Sequence, residues 1–165
     1  MMEGLFQKKI RTGYYPENFM AKGNFTAAGD TLLIMLLRLP LGIIFVAHGS
    51  QKLLGLFGGQ GLTSTFRTFE EKMGIPPVLT FLAIIAEFGG GIGLLLGLLT
   101  RFSAVGIAAT MVVAMYKVTL INGFFLNVAG RGPGIEYNLA LLGMALAIVV
   151  KGGGAWSVDR FLWKR

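Results

Sequence analysis

An all-α bundle of four transmembrane helices, with a short interfacial helix between spans one and two, is the fold this sequence predicts. Three observations predict it. Four long apolar stretches lie near residues 31–53, 78–99, 102–122 and 135–151, each close to the roughly 20 residues that carry a helix across a bilayer core. Hydrophobic residues make up 54% of the 165-residue chain and charged residues 14%, against about 25% charged in soluble domains. The ionisable residues inside the stretches are few: Arg38, His48, Lys52, Glu87, Lys117 and Glu136.

Residues 1–30 read as a polar and aromatic arm ahead of a membrane domain at 31–165. The arm carries Lys8, Lys9, Arg11 and Lys22 and lacks the short apolar region and small-residue cleavage site of a secretory signal. Its segment Tyr14-Tyr15-Pro16-Glu17-Asn18-Phe19 is unsuited to a helix interior and reads either as a surface arm at headgroup level or as a docking arm for another subunit.

The first span, Thr31 to Leu53, is expected to be capped by Asp30 or Thr31 and kinked by Pro40 near Arg38. Gly55, Gly58, Gly59 and Gly61 make a flexible exit. Leu62, Phe66, Phe69 and Met73 then recur at helical spacing, the pattern of a helix lying on the membrane surface. The second span, Val78 to Leu99, contains Glu87 and a Gly89-x₃-Gly93-x₃-Gly97 ladder. Glycines four apart share a helical face and permit close backbone approach, which places Glu87 on the other side of the helix. Thr100-Arg101 is a short turn, so spans two and three are antiparallel neighbours. The third span runs from Phe102 to Asn122 and the fourth from Ile135 to Lys151. After Gly152-Gly153-Gly154, Trp156 and Trp163 read as interfacial anchors.

The formal charge is +7, but the bases fall mostly in the flanks. There, topology and anionic lipid account for them better than nucleic acid does. Nine Lys and Arg flank the side shared by the termini and Arg101, against Lys52, Arg67, Lys72 and Arg131 on the other. Both termini are therefore expected in the cytoplasm, with the protein in a bacterial inner membrane. Cysteine is absent and histidine occurs once. No thiol chemistry, iron–sulfur cluster, bis-histidine haem or dedicated metal site is expected in this chain.

Charge inside hydrocarbon costs at least ~2.5–3.5 kcal/mol on insertion scales, so such groups pair or line a polar cavity. By depth, Glu87, Lys117, His48, Lys52 and Glu136 with Tyr137 and Asn138 fall in the outer half of the bundle, contributed by all four helices. Arg38 lies in the inner half, with a side chain long enough to reach toward Glu87. Each residue also has a structural reading. Lys52, Lys117 and Arg38 can snorkel, Glu136 can cap the fourth helix, and His48 can bond a carbonyl. Glu87 is the hardest to dismiss, because it is short and close to mid-membrane. It is expected to face the interior within reach of Arg38, His48 or Lys117.

The chain resembles the DoxX/DoxD family of small four-helix membrane proteins over about residues 31–161. The carriers are Leu36-Leu37-Arg38-Leu39, His48-Gly49-Ser50-Gln51-Lys52-Leu53, Glu87-Phe88-Gly89-Gly90-Gly91, Leu98-Leu99-Thr100-Arg101, Glu136-Tyr137-Asn138-Leu139 and the Gly152 to Asp159 ending. The resemblance implies membrane redox, with quinone as an exchangeable ligand and other membrane or peripheral redox subunits, or further copies of the chain, as partners. On that reading Glu87, His48 and Glu136 are the candidate catalytic or proton-relay groups. Arg38, Lys52, Lys117, Tyr137 and Asn138 are the candidate ligand-binding groups. Two other functions fit the same residues: a structural or anchoring subunit with an internal ion-pair network, and transport of a small anion.

Overall fold

The computed structural model describes residues 23–126, 130 and 132–162. The Tyr14–Phe19 segment of the arm, Arg131 and Trp163 lie outside the described residues. The chain divides into two units, Met1–Asp30 and Thr31–Arg165, and the second holds the apolar segments. The helices are α1 (Gly23–Leu53), α2 (Gly61–Met73), α3 (Pro77–Leu96), α4 (Thr100–Ala114), α5 (Glu136–Lys151) and a short α6 (Val158–Leu162). Beyond α4 the helix continues as a π-helical turn, Met115–Thr119, and a 3₁₀ turn, Leu120–Asn122. The described residues contain no strand, so the chain is all-α as the sequence predicts.

Three segments are long and apolar enough to cross a membrane: Thr31–Leu53, Pro77–Leu96 and Thr100–Asn122. The fourth helix, α5, has 16 residues. At about 1.5 Å per residue it is ~24 Å long, short of a hydrocarbon core of ~30 Å.

The helix boundaries differ from the sequence reading for local reasons. Helix α1 begins at Gly23, so Asp30 and Thr31 lie within it rather than cap it, and Pro40 sits inside it without ending it. Helix α3 stops at Leu96 rather than Leu99, because Gly97 adopts φ +69° and turns its N–H back to the carbonyls of Gly93 and Leu94. Only glycine enters that left-handed region without steric cost. Pro77 opens α3 at its first turn, where a missing N–H removes no helical bond.

Helices α1, α3, α4 and α5 pack antiparallel in turn and share one core. Leu41 and Phe45 of α1, Leu94 of α3, Ile107 of α4 and Ala145 and Ile148 of α5 belong to a single buried cluster. The outer surface is apolar too: Val78, Phe81, Phe102 and Val150 are exposed. In a bilayer that surface meets lipid chains, so packing between helices rather than water exclusion holds the bundle together.

Backbone contact between α1 and α3 is where the sequence reading needs correction. A Cβ at Gly49 would lie 2.6 Å from the Phe88 backbone, and one at Gly91 would lie 2.7 Å from the Val46 nitrogen and 3.0 Å from the Gly42 carbonyl. The seam is thus made by Gly42, Gly49 and Gly91. The expected Gly89–Gly93–Gly97 face does not act as one. A Cβ at Gly89 would meet only Ile85 of its own helix, at 3.9 Å, Gly93 packs on Ser103 of α4, and Gly97 is the helix cap. Glu87 therefore does not project away from the packed side. Thr80, Ile84, Glu87, Gly91 and Leu94 are all buried, and their alternating spacing of four and three residues is that of one packed stripe.

These contacts separate two glycines that the sequence alone treats alike. Gly91→Leu should lower thermal stability in detergent by about 1–3 kcal/mol or more, as overpacking does. Gly89→Leu should leave it almost unchanged. Equal losses would contradict the assigned seam.

Candidate functional site

Glu87 sits on the buried stripe of α3 and is 5% exposed. Its Oε2 contacts the Nζ of Lys52 in a hydrogen-bonded ion pair. Lys52 closes the last turn of α1, and its side chain is 24% exposed against 7% for Glu87. The partner is therefore neither Arg38, His48 nor Lys117 but the lysine expected to snorkel. A lysine stem spans several ångströms, so a residue at the end of one helix can reach a carboxylate deeper in its neighbour. Gly49 makes the reach short by bringing the α1 backbone against Phe88, the residue after Glu87. A second ion pair, Arg67–Glu71 on α2, is exposed on both sides.

The remaining outer residues do not gather around this pair. His48 is exposed and makes no hydrogen bond among the described residues. Lys117 is exposed in the π-helical turn, with its Nζ 6.0 Å from the Tyr116 ring centroid. Tyr137 is exposed, while Asn138 is buried and donates from Nδ2 to the Thr119 hydroxyl at 3.2 Å. Glu136 pins the connecting loop. Its Oε1 accepts the Leu126 N–H at 2.5 Å, and its own N–H donates to the Phe124 carbonyl at 3.0 Å. Sequence reading missed Thr119. The signal was available in principle, since a buried amide needs a partner across the helix interface.

At the opposite end three of the sequence motifs meet. Arg38 is 3% exposed and donates to the Gly153 carbonyl at 2.8 Å and the Trp156 carbonyl at 2.7 Å. It binds the C-terminal segment and takes no part with Glu87. Asp159 accepts the Leu99 N–H at 2.7 Å on one oxygen and the Thr100 N–H at 2.8 Å on the other. Its own N–H donates to the Gly97 carbonyl at 2.9 Å. A carboxylate thus caps the N-terminus of α4 from 59 residues away, where it also faces the positive end of the helix dipole. Leu99, with φ +47°, holds the turn between α3 and α4. Arg101 donates to the Val150 carbonyl at 3.1 Å, tying the start of α4 to the end of α5. Asp159 is the residue whose role the sequence did not disclose.

No group of three or more His, Cys, Asp or Glu residues able to hold a metal ion occurs among the described residues. Chemically, the bundle offers a buried carboxylate–ammonium pair near one end and a polar latch at the other.

Apolar helices, an apolar outer wall and an acid–base pair held inside define a small helical integral membrane protein. The chain belongs to the DoxX family, whose model matches residues 33–120. It is 31% identical over 137 residues to Inner membrane protein YqjF of Escherichia coli (strain K12), covering 80% of this chain and 93% of that protein. It is 29% identical over 130 residues to a Bacillus subtilis (strain 168) protein named Putative oxidoreductase CatD, covering 79% and 87%. A membrane protein of Mycobacterium tuberculosis is 31% identical over 140 residues, covering 80% and 82%. No solved structure matches the chain significantly.

The latch makes a direct prediction. Asp159→Ala removes both acceptors from the start of α4 and should cost about 0.5–2 kcal/mol of stability, as loss of a helix cap does. Thermal unfolding in detergent measures it, and an unchanged midpoint would show that Asp159 is not the cap.

Proposed function

We propose that this chain is the membrane subunit of an oxidoreductase system and interacts with quinone through the polar site inside its bundle. The observation that carries the proposal is the Lys52–Glu87 pair, buried on one side and partly accessible on the other. A quinone headgroup needs a hydrogen-bond donor and a proton source, and its tail needs apolar surroundings. An ammonium against a carboxylate supplies the first two within an apolar bundle. The name of the Bacillus subtilis relative agrees with redox work. Electrons would come from a partner subunit, since the chain has no cysteine and a single histidine.

Within this reading α5 completes a four-span bundle. Asn138–Thr119 ties its first turn to the end of the third span, and Arg101–Val150 ties its last turn to the beginning. It therefore runs antiparallel to α4, and its flanks extend a helix that is short on its own. Both termini lie in the cytoplasm, following the excess of Lys and Arg on that side. In a chain without native cysteine, an impermeant thiol reagent should reach Phe57→Cys from outside the cell and not Trp156→Cys. The reverse pattern would invert the topology.

A structural or anchoring subunit is the competing reading, favoured by the same pair, because a satisfied ion pair needs no ligand. Quinone content separates the two. Extracted in native-lipid nanodiscs, the folded protein should carry quinone in amounts comparable to its own. Glu87→Gln keeps a carbonyl oxygen for the Lys52 ammonium, and its folded fraction should lose most of the quinone. Folded wild-type protein without quinone would favour the structural reading.

A further inference from the structure

We infer that the site opens sideways to the bilayer along the flank of α1 that carries His48, and that this imidazole donates the first hydrogen bond to a quinone carbonyl. The inference rests on the quinone reading above and adds the route and the contact residue.

His48 lies inside the membrane-capable segment Thr31–Leu53. Five residues before its end, at about 1.5 Å each, the Cα is ~7.5 Å from the helix terminus. There the side chain is exposed and makes no hydrogen bond or ion pair among the described residues. A ring with one donor and one acceptor, facing lipid bare, leaves both unmet, and polar groups in that setting take a partner. The loops and the other helices provide none among the described residues.

Its position relative to the buried pair is set by helix geometry. His48 and Lys52 are four residues apart, hence about 40° apart around α1 and on one face. Gly49, which meets the Phe88 backbone, is about 100° from His48. The imidazole is thus turned away from the α1–α3 seam but stays beside the lysine that reaches Glu87. The order from lipid to interior is His48, Lys52, Glu87.

Helix α2 stands at the end of α1. The Thr65 hydroxyl of α2 donates to the Lys52 carbonyl at 3.2 Å, which holds α2 against the last turn of α1. A lipophilic carbonyl compound already dissolved in the bilayer would meet the exposed His48 on the flank of α1. Its head would bond His48, with the ammonium of Lys52 next in line, while its tail stays in lipid. This explains a polar residue on the lipid wall that the packing of the bundle does not explain.

Photolabelling tests it. The protein in nanodiscs is irradiated with an azido-benzoquinone bearing a short isoprenoid tail, and adducts are mapped by peptide mass spectrometry. Adducts should fall on α1 between Ile44 and Lys52 and be suppressed by excess unlabelled benzoquinone with the same tail. His48→Leu, which removes the donor, should weaken the labelling affinity about tenfold, the scale of one lost hydrogen bond. Ile43→Ala, an exposed change elsewhere on α1, should not. Saturable adducts confined to other helices, or labelling unaltered by His48→Leu, would overturn the sideways site and leave quinone binding standing. No saturable labelling anywhere would overturn both.

Discussion

Lys52 and Glu87 constrain each other, and much of the bundle is arranged so that they can. A carboxylate on a packed stripe of a membrane helix has no water to turn to. Either it takes up a proton or it finds a cation. Lys52 reaches it because α1 and α3 approach to backbone contact at Gly42, Gly49 and Gly91. Larger residues at these positions would hold the two helices further apart. The same stripe that buries Glu87 also buries Thr80, Ile84 and Leu94. One helix face therefore carries both the packing and the charge.

The other end of the molecule solves a different problem. A tight turn between two membrane helices exposes carbonyls at the end of α3 and N–H groups at the start of α4. The C-terminal segment satisfies several of these at once. Asp159 takes two N–H groups of the turn and gives its own to Gly97, while Arg38 holds the carbonyls of Gly153 and Trp156. Gly97 and Gly153 leave room for this: a Cβ on either would run into the Ser157 side chain. A buried arginine that looks from the sequence like a partner for Glu87 is committed here instead. Two buried side-chain atoms remain without partners among the described residues, the Arg38 Nε and the Thr100 hydroxyl.

The helical class, the three long apolar segments and the presence of a short helix after the glycine-rich exit were legible from hydropathy and spacing, because those depend on composition along one segment. The burial of Glu87 was also legible, from its cost in hydrocarbon. Its partner was not. Depth along each helix placed Lys52, His48, Lys117 and Glu136 at similar levels, yet rotation about each axis decides which of them meet. Spacing within α3 alone could not say which glycines faced α1. The Gly89–Gly93–Gly97 ladder looked like a contact face, whereas Gly91, out of register with it, makes the contact. Asp159 was visible only as a piece of a motif, since its target lies 59 residues away.

The mutual dependence of Lys52 and Glu87 is measured most directly by a double-mutant cycle on unfolding in detergent. Breaking a buried pair from one side leaves an uncompensated charge and costs about 3–5 kcal/mol, whereas replacing both partners by apolar groups is often neutral. Lys52→Met alone should therefore destabilise strongly, and Lys52→Met with Glu87→Leu should recover most of the loss. Two small, additive losses would mean that the charges do not depend on one another, and the bundle would not be organised around them.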